Sequence, residues 1–187
     1  FVSSKPFFTD VKAPSVPPSA AHLLGTDRSG RDVWARVVHG ARTSLVVGLG
    51  AVALYVLIGT ILGGLAGMLG GWVDNLIMRA TDTLMSIPTL LLVIVFVAAV
   101  GPSLASVVTV IGLLGWPGAA RLVRGQLLSL REAEFVTAAR VVGVSNGAIL
   151  FKHLIPNIVS SLAVLATFGV ASAIILEAGL SFLGLGV

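Results

Sequence analysis

The chain has 187 residues, of which 56% are hydrophobic and 11% are charged, and its formal net charge is +4. Soluble domains average roughly 25% charged residues, so this composition, with a mean hydropathy of +1.04, excludes an ordinary soluble protein and indicates an integral membrane protein. The sequence contains no cysteine, which excludes disulfides, thiolate chemistry and cysteine metal sites.

The first 42 residues form a basic segment before the first long apolar stretch. Residues 1–21 contain four prolines and are predicted to form an irregular loop. Trp34 is the only aromatic residue among the arginines of this segment, so nucleic-acid binding is not expected. The basic residues are Lys5, Lys12, Arg28, Arg31, Arg36 and Arg42.

Three stretches lack Arg, Lys, Asp and Glu, namely 43–73, 83–120 and 153–176. A membrane-spanning helix needs about 20 apolar residues, so the first and last stretches each hold one span. The middle stretch is too long for one span, and Gly101-Pro102-Ser103 divides it into a predicted helical hairpin. The sequence therefore predicts an all-α, polytopic transmembrane bundle. Its four spans lie near 43–70, 84–100, 104–120 and 155–176.

Glycines recur at every fourth position towards the end of the first predicted span, at Gly59, Gly63, Gly67 and Gly71. We expect them to lie on one helix face, where the missing side chains let another helix approach closely. Static helix packing and a seam that slides during a conformational change both fit this pattern.

Charged residues next to the apolar stretches are expected to have mainly structural roles. Asp74, Arg79 and Asp82 fall in a predicted short loop, where an interhelical ion pair or an interfacial anchor is favoured over contact with a substrate. Arg121 and Arg124 lie one helical step apart, and contact with a partner or with lipid head groups fits them equally well.

Glu177 follows the last apolar stretch. An acid inside a helical bundle is costly and is a functional candidate by default, whereas an acid at the membrane boundary simply reaches water, and both interpretations remain open. His153 is expected to be an interfacial residue rather than a metal ligand, because His22 and His39 are remote in sequence and no ligand cluster accompanies them.

The stretch 129–157 carries charged residues between two apolar stretches. Ser129, three residues before Glu132, forms a capping-box pattern, and Gly143 can provide a left-handed stop, so a short helix is predicted. Ser145 would cap a second helix that runs to Pro156. Two short helices in a charged segment between spans are suited to contact with a soluble partner.

This stretch resembles the EAA loop of bacterial ABC-importer permeases, which has Glu-Ala-Ala, then a glycine after three residues, then a Leu-Pro ending. Thr137-Ala138-Ala139, Gly143 and Pro156 fall at that spacing, whereas Thr137 replaces the glutamate and the ending departs at His153 and Ile155. The glutamate one turn earlier is the candidate replacement. The resemblance implies coupling to an ATPase through Glu134, Phe135, Thr137, Ala138, Ala139, Val142, Gly143 and Pro156.

A second resemblance covers nearly everything from His22 onward. The motifs His22-Leu23-Leu24-Gly25-Thr26-Asp27 and Gly30-Arg31-Asp32-Val33 are similar to the segment before the second span of C-type permease subunits from peptide and nickel ABC importers. Residues 40–45, 70–74 and 177–186 fit the same template. The resemblance implies the type I ABC importer permease fold, with one further span before this chain and one after it.

The resemblance also implies partners. In that family a homologous B-type permease completes the pathway, two cytoplasmic ATPases use ATP and Mg²⁺, and an extracytoplasmic binding protein delivers the substrate. The chain itself is expected to lie in membrane lipid, to hold no cofactor or metal and to bind no nucleic acid. Lys and Arg number six on each face, so the positive-inside rule gives no orientation. The resemblance places the EAA-type loop in the cytoplasm and residues 1–42 outside the bacterial inner membrane.

The function expected from the resemblance is that of a permease subunit for peptide import. Nickel import by the same family is the alternative, although the predicted spans contain few His or acidic ligands. An ATP-independent channel or ion-coupled transporter is the alternative from a different class. No lysine follows a glycine, which excludes a Walker-type ATP site, and a Ser161-His153-Glu177 set lacks a nucleophile-elbow motif, so no catalytic residue is predicted.

Overall fold

The computed structural model describes residues 14–186, in which the regular structure is helical. Within that range the strand-like pairing is an isolated antiparallel bridge between Thr26 and Asp32. The prediction of an all-α fold is confirmed. The helices are α1 (Val33–Leu69), α2 (Gly71–Met85), α3 (Thr89–Val100), α4 (Leu104–Leu130), α5 (Glu134–Val141), α6 (Asn146–Ile149) and α7 (Ile155–Phe182), and a π-helical segment, Leu150–Leu154, joins α6 to α7.

The chain divides into two compact units, one ending at Val46 and the other comprising Val47–Val187. In the first unit Asp27 organises a tight loop, since its Oδ1 accepts hydrogen bonds from the backbone N–H groups of Ser29 (2.8 Å) and Arg31 (2.9 Å). Its Oδ2 accepts from Arg31 Nε (3.0 Å) and Arg36 Nη1 (2.7 Å). The backbone hydrogen bond from Arg31 is the largest influence that lowers the pKa of Asp27.

Asp32 caps the start of α1. Its Oδ1 accepts from the N–H of Ala35 at 3.1 Å, and its Oδ2 lies 3.0 Å from His22 Nδ1. The hydrogen bond with His22 is the main reason why the pKa of Asp32 is lowered. The predicted irregular loop over 1–21 lies partly outside the described residues, which begin at Pro14.

In the second unit α1 packs closely along α4, and three of the predicted glycines form the contact. An added Cβ at Gly59 would lie 2.9 Å from the backbone N of Ala120, and one at Gly67 would lie 2.9 Å from Leu127 Cβ. Gly63 faces α4 between them. The prediction for Gly71 was wrong, because α1 ends at Leu69 and Gly71, with φ of +55°, begins α2.

The second predicted span, 84–100, is also different in the structure. Residues 84 and 85 belong to α2, and α3 begins only at Thr89 after a bend of 86°. The bend lies at Pro88, which has no N–H to donate into a continuing helix and restricts the residue before it. Twelve residues of α-helix are about 18 Å long, less than the roughly 30 Å hydrocarbon core, so α3 cannot cross alone.

The remaining helices extend beyond their predicted spans. α1 begins ten residues before the predicted 43, α4 continues to Leu130 rather than 120, and α7 continues to Phe182 rather than 176. Three helical stretches in the described chain are long and apolar enough to cross a membrane, or four if the bent α2–α3 pair makes one span. The predicted hairpin turn is present: α3 ends at Val100, and Ser103 Oγ accepts from the N–H of Ser106 at 3.0 Å to cap α4.

Candidate functional site

The loop between α4 and α7, residues 131–154, begins differently from the sequence prediction. Ser129 lies inside α4, which ends at Leu130, so the predicted capping box with Glu132 does not form. α5 begins at Glu134 after Ala133, and no side chain caps it. Glu134 instead places a carboxylate in the first turn, where the positive end of the helix dipole favours a negative charge.

The predicted stop at Gly143 is present. Its φ is +84°, its N–H donates to Arg140 O (2.9 Å), and the N–H of Val144 donates to Ala139 O (3.0 Å). This pair of hydrogen bonds is the Schellman arrangement, which satisfies the last free carbonyls of a helix. Ser145 then caps α6 as predicted, because its Oγ accepts from the N–H of Ala148 at 3.4 Å.

The second helix of the loop does not end at Pro156. The chain stays helical through Leu150–Leu154, where the N–H of Ile155 bonds to Leu150 O in an i to i−5 pattern, and α7 follows directly. Pro156 stands at the start of α7. A proline removes one N–H donor and its ring displaces the carbonyl four residues earlier, and the wider π turn accommodates both effects.

The loop is anchored by fully buried side chains. Val136 from α5, Ile149 from α6 and Leu154 from the π segment belong to one apolar cluster. The membrane-spanning helices complete it with Val123, Leu127 and Ile158. Burying an aliphatic side chain contributes about 1.5–3 kcal/mol, so this base fixes the position of the loop on α4 and α7.

The opposite side of α5 is exposed and apolar. Phe135, Ala138 and Val142 are spaced at i, i+3 and i+7, so they share one helix face, and Val142 is 82% exposed. Thr137 is exposed as well, and Ala139 is partly buried against the apolar cluster. The residues predicted to contact an ATPase therefore lie on two sides of α5. Most of them are on the exposed side, and Ala139 is on the buried side.

Two ion pairs join α2 to α4 near the loop. Arg124 Nε and Nη2 donate to the two carboxylate oxygens of Asp74, the second at 2.6 Å, and Arg121 Nη2 donates to Asp82 Oδ1 at 2.5 Å. The residues from Asp74 to Asp82 are helical, so the predicted short loop was wrong. Of the two roles left open for the acids, the structure shows interhelical ion pairs.

Glu177 lies inside α7 and is only 7% exposed. Its Oε1 accepts a hydrogen bond of 2.7 Å from the hydroxyl of Ser181, one turn later. Of the two interpretations left open by the sequence, the buried position is the one found. Within the described residues no group of three or more His, Cys, Asp or Glu side chains could hold a metal ion.

A polar side chain that the sequence prediction missed is Tyr55, in the middle of α1. It is the single tyrosine of the chain and lies 9% exposed beside a cavity between α1, α3, α4 and α7. Gly115 and Gly169 also border this cavity. A single tyrosine within an apolar span is a signal in the sequence that could have identified Tyr55 as a candidate polar group. Its contacts with Gly115 and Gly169 could not be inferred without the fold.

Membrane-length helices, a broken helix pair and an anchored loop with an exposed apolar face define a polytopic α-helical membrane protein. The sequence profile of the family described as "Binding-protein-dependent transport system inner membrane component" matches residues 59–187. The chain belongs to this family and is accordingly a multi-pass protein of the bacterial inner membrane.

Curated proteins similar to this chain carry peptide-transport names. A putative peptide permease protein of Brucella abortus is 45% identical over 98% of this chain and 61% of its own length. The dipeptide transport system permease protein DppC of Alkalihalophilus pseudofirmus is 47% identical over 90% of this chain and 56% of its own. The oligopeptide transport system permease protein OppC of Bacillus subtilis is 42% identical over 91% and 56%, respectively. The chain thus spans somewhat over half the length of these relatives.

Proposed function

We propose that this chain is part of a permease subunit of a binding-protein-dependent ABC importer for dipeptides or oligopeptides. The proposal is supported by family membership and by the peptide permease names of similar proteins from three bacterial genera. These names favour peptide over nickel as the substrate class. The partners proposed for it are a homologous B-type permease, an extracytoplasmic binding protein and two cytoplasmic ATPases that use ATP and Mg²⁺.

The observation that carries the coupling role is the exposed apolar face of α5. Phe135, Ala138 and Val142 present a narrow hydrophobic ridge, and Val136 on the other side of the same helix is fully buried in the anchoring cluster. A short amphipathic helix of this kind fits a groove on a partner. Because α5 is anchored in the same buried cluster as α4 and α7, a partner that moves α5 would also move the ends of these two helices. ATP-driven closure of the ATPases would thereby bias the bundle between its two access states.

The test is the substitution Ala138→Asp in the complete importer. Ala138 is exposed, so the subunit itself should still insert and fold, but the new carboxylate would be buried unpaired in the partner groove at a cost of several kcal/mol. We expect normal amounts of subunit in the membrane, at least a tenfold loss of ATPase recovered with it in mild detergent, and loss of ATP-driven peptide uptake.

Asn146→Asp is the matched control, because it adds the same charge at an exposed position of the same loop but outside the ridge. It should leave ATPase recovery within twofold of the unmodified protein. Full ATPase recovery and uptake in Ala138→Asp would overturn the coupling role. Solute uptake by the permease without any ATPase or ATP would instead support the channel or ion-coupled alternative.

A further inference from the structure

A half-open cavity of about 260 Å³ lies in the second unit, between α1, α3, α4 and α7. Tyr55 of α1 reaches into it between two glycines. An added Cβ at Gly115 would lie 2.8 Å from Tyr55 Cδ1, and one at Gly169 would meet the Tyr55 hydroxyl itself. The two glycines therefore hold the phenol in a slot, with its hydroxyl beside the cavity wall formed by Gly169.

The Tyr55 hydroxyl is available to a ligand. The residue is nine-tenths buried, and no hydrogen bond of its hydroxyl is found within residues 14–186. Its oxygen keeps some accessibility, because the fully buried side-chain atom without a partner in the described residues is Thr81 Oγ1 and not the Tyr55 hydroxyl. Tyrosine hydroxyls in apolar surroundings usually find a hydrogen-bond partner, and a ligand oxygen would supply one here. Ser172, which also borders the cavity, is different, since its hydroxyl donates to Phe168 O at 3.0 Å.

The N-terminal end of α3 opens onto the same cavity through Thr89, its first residue. Pro88 precedes the helix, and no side chain of the described residues caps it. The N–H groups of Leu91 and Leu92 donate to Pro88 O at 3.0 and 3.3 Å, so within the helix only those of Thr89 and Leu90 lack an acceptor. The aligned peptide dipoles make this end attractive to an anion. The 86° bend between α2 and α3 leaves this end uncovered by α2, and Thr89 and Leu90 are exposed.

We propose that this cavity holds the terminal carboxylate of a small peptide during its passage, which deepens the proposed function and rests on it. The groups that border it and can donate are the N–H of Thr89 and the hydroxyls of Tyr55 and Thr89. Ile111, Ala173 and Leu176 supply an apolar wall for the peptide's last side chain. No Lys or Arg borders this cavity in the described structure, so binding is weak and the peptide can leave again.

Glu177 lies one turn beyond Ala173 on α7 and is not part of the cavity lining, and its Oε1 accepts from the hydroxyl of Ser181, farther along the helix.

The test uses the complete permease–ATPase complex in lipid nanodiscs without its binding protein. Saturation-transfer NMR is recorded with the dipeptide Ala-Ala, with its C-terminal amide and with acetate as a competitor. We expect clear saturation of Ala-Ala, at least fivefold less of the amide, and incomplete displacement by an equal concentration of acetate. Equal signals from dipeptide and amide would overturn the proposal. Full displacement by acetate would assign the site to any small carboxylate rather than to a peptide, and would also overturn it.

Two variants locate the binding. Tyr55→Phe removes only the hydroxyl, and Thr89→Pro removes one N–H and one hydroxyl at a helical position where proline is well tolerated. Each should lower the Ala-Ala signal at least threefold, while Ser172→Ala, from the same cavity wall, should not. Unchanged signals in both variants, with normal ATPase recovery, would overturn the proposal.

ATP-driven peptide uptake into proteoliposomes separates this inference from the proposed function. If the unmodified complex imports peptide but the binding experiment fails, the carboxylate site is wrong and the proposed function stands. If no peptide is imported at all, the proposed function fails.

Discussion

Gly63 and Gly64 are neighbours in α1, yet they have opposite surroundings. An added Cβ at Gly63 would lie 2.9 Å from Val123 Cβ and still closer to the carbonyl oxygen of Ala120, whereas one at Gly64 would meet nothing within 4 Å. The obstacle at Gly63 is backbone of α4, which no side-chain rotation can relieve. A single methyl group there would force α1 and α4 apart.

We therefore expect Gly63→Ala to destabilise the protein and Gly64→Ala not to do so. Overpacking at Gly63 should cost about 1–3 kcal/mol. Alanine at Gly64 should be neutral or stabilising by up to about 1 kcal/mol, because glycine is the poorer helix former. Thermal unfolding of the two purified variants in the same detergent measures the difference. Equal midpoints would mean that the close contact does not limit helix packing.

At the scale of elements, α2 and α4 are joined by two ion pairs of unequal burial. The side chains of Asp74 and Arg124 are 15% and 31% exposed and make two hydrogen bonds, whereas those of Asp82 and Arg121 are 64% and 49% exposed and make one. Exposed ion pairs contribute about 0–1 kcal/mol, and a hydrogen bond to a charged group that is shielded from water contributes about 1.5–3 kcal/mol.

Replacing each of the two aspartates by asparagine separates the contributions of the two ion pairs to stability. We expect Asp74→Asn to destabilise the protein by about 2 kcal/mol, since it leaves the Arg124 guanidinium without its carboxylate, and Asp82→Asn to cost less than about 1 kcal/mol. Thermal unfolding midpoints provide the comparison. A loss for Asp82→Asn that matches or exceeds the loss for Asp74→Asn would show that burial does not govern these pairs.

For the whole molecule, the open question is whether the bent α2–α3 pair crosses the bilayer. The chain has no cysteine, so single cysteines can be introduced at the exposed positions Ser19 and Ser145 without background. If α1, the bent pair and α4 make three crossings, the two positions lie on opposite sides. We expect a membrane-impermeant thiol reagent to label Ser19→Cys in intact cells and to leave Ser145→Cys unlabelled until the cells are permeabilised.

Labelling of both cysteines, or of neither, in intact cells would mean that the bent pair turns back within the membrane. Labelling of Ser145→Cys alone would reverse the orientation and remove the proposed contact with cytoplasmic ATPases.

Composition and uncharged stretches were sufficient to predict the helical membrane fold, and glycine geometry was sufficient to predict the stop at Gly143. The break at Pro88 was missed because hydropathy continues unchanged through it, although the proline itself was a local signal. Ser129 was misassigned because Leu127 is fully buried in the apolar cluster and Leu130 packs against it, which are tertiary contacts that capping patterns do not contain. The cavity beside Tyr55 depends on glycines sixty and more residues away in sequence, so it required the fold.

The π segment changes the direction in which the side chains of α7 point relative to those of the loop. Ile149 and Leu154 are five residues apart, a spacing that would turn them about 140° away from each other in a regular α-helix, yet both are fully buried. The wider turn restores their common direction, and Leu154 and Ile158 then follow at the ordinary spacing of four. A chain with one residue fewer between Ile149 and Leu154 could keep all three side chains in the cluster with a plain α-helix. One residue fewer between Leu154 and Ile158 would rotate the whole of α7, and with it Glu177, by about 100° relative to the loop.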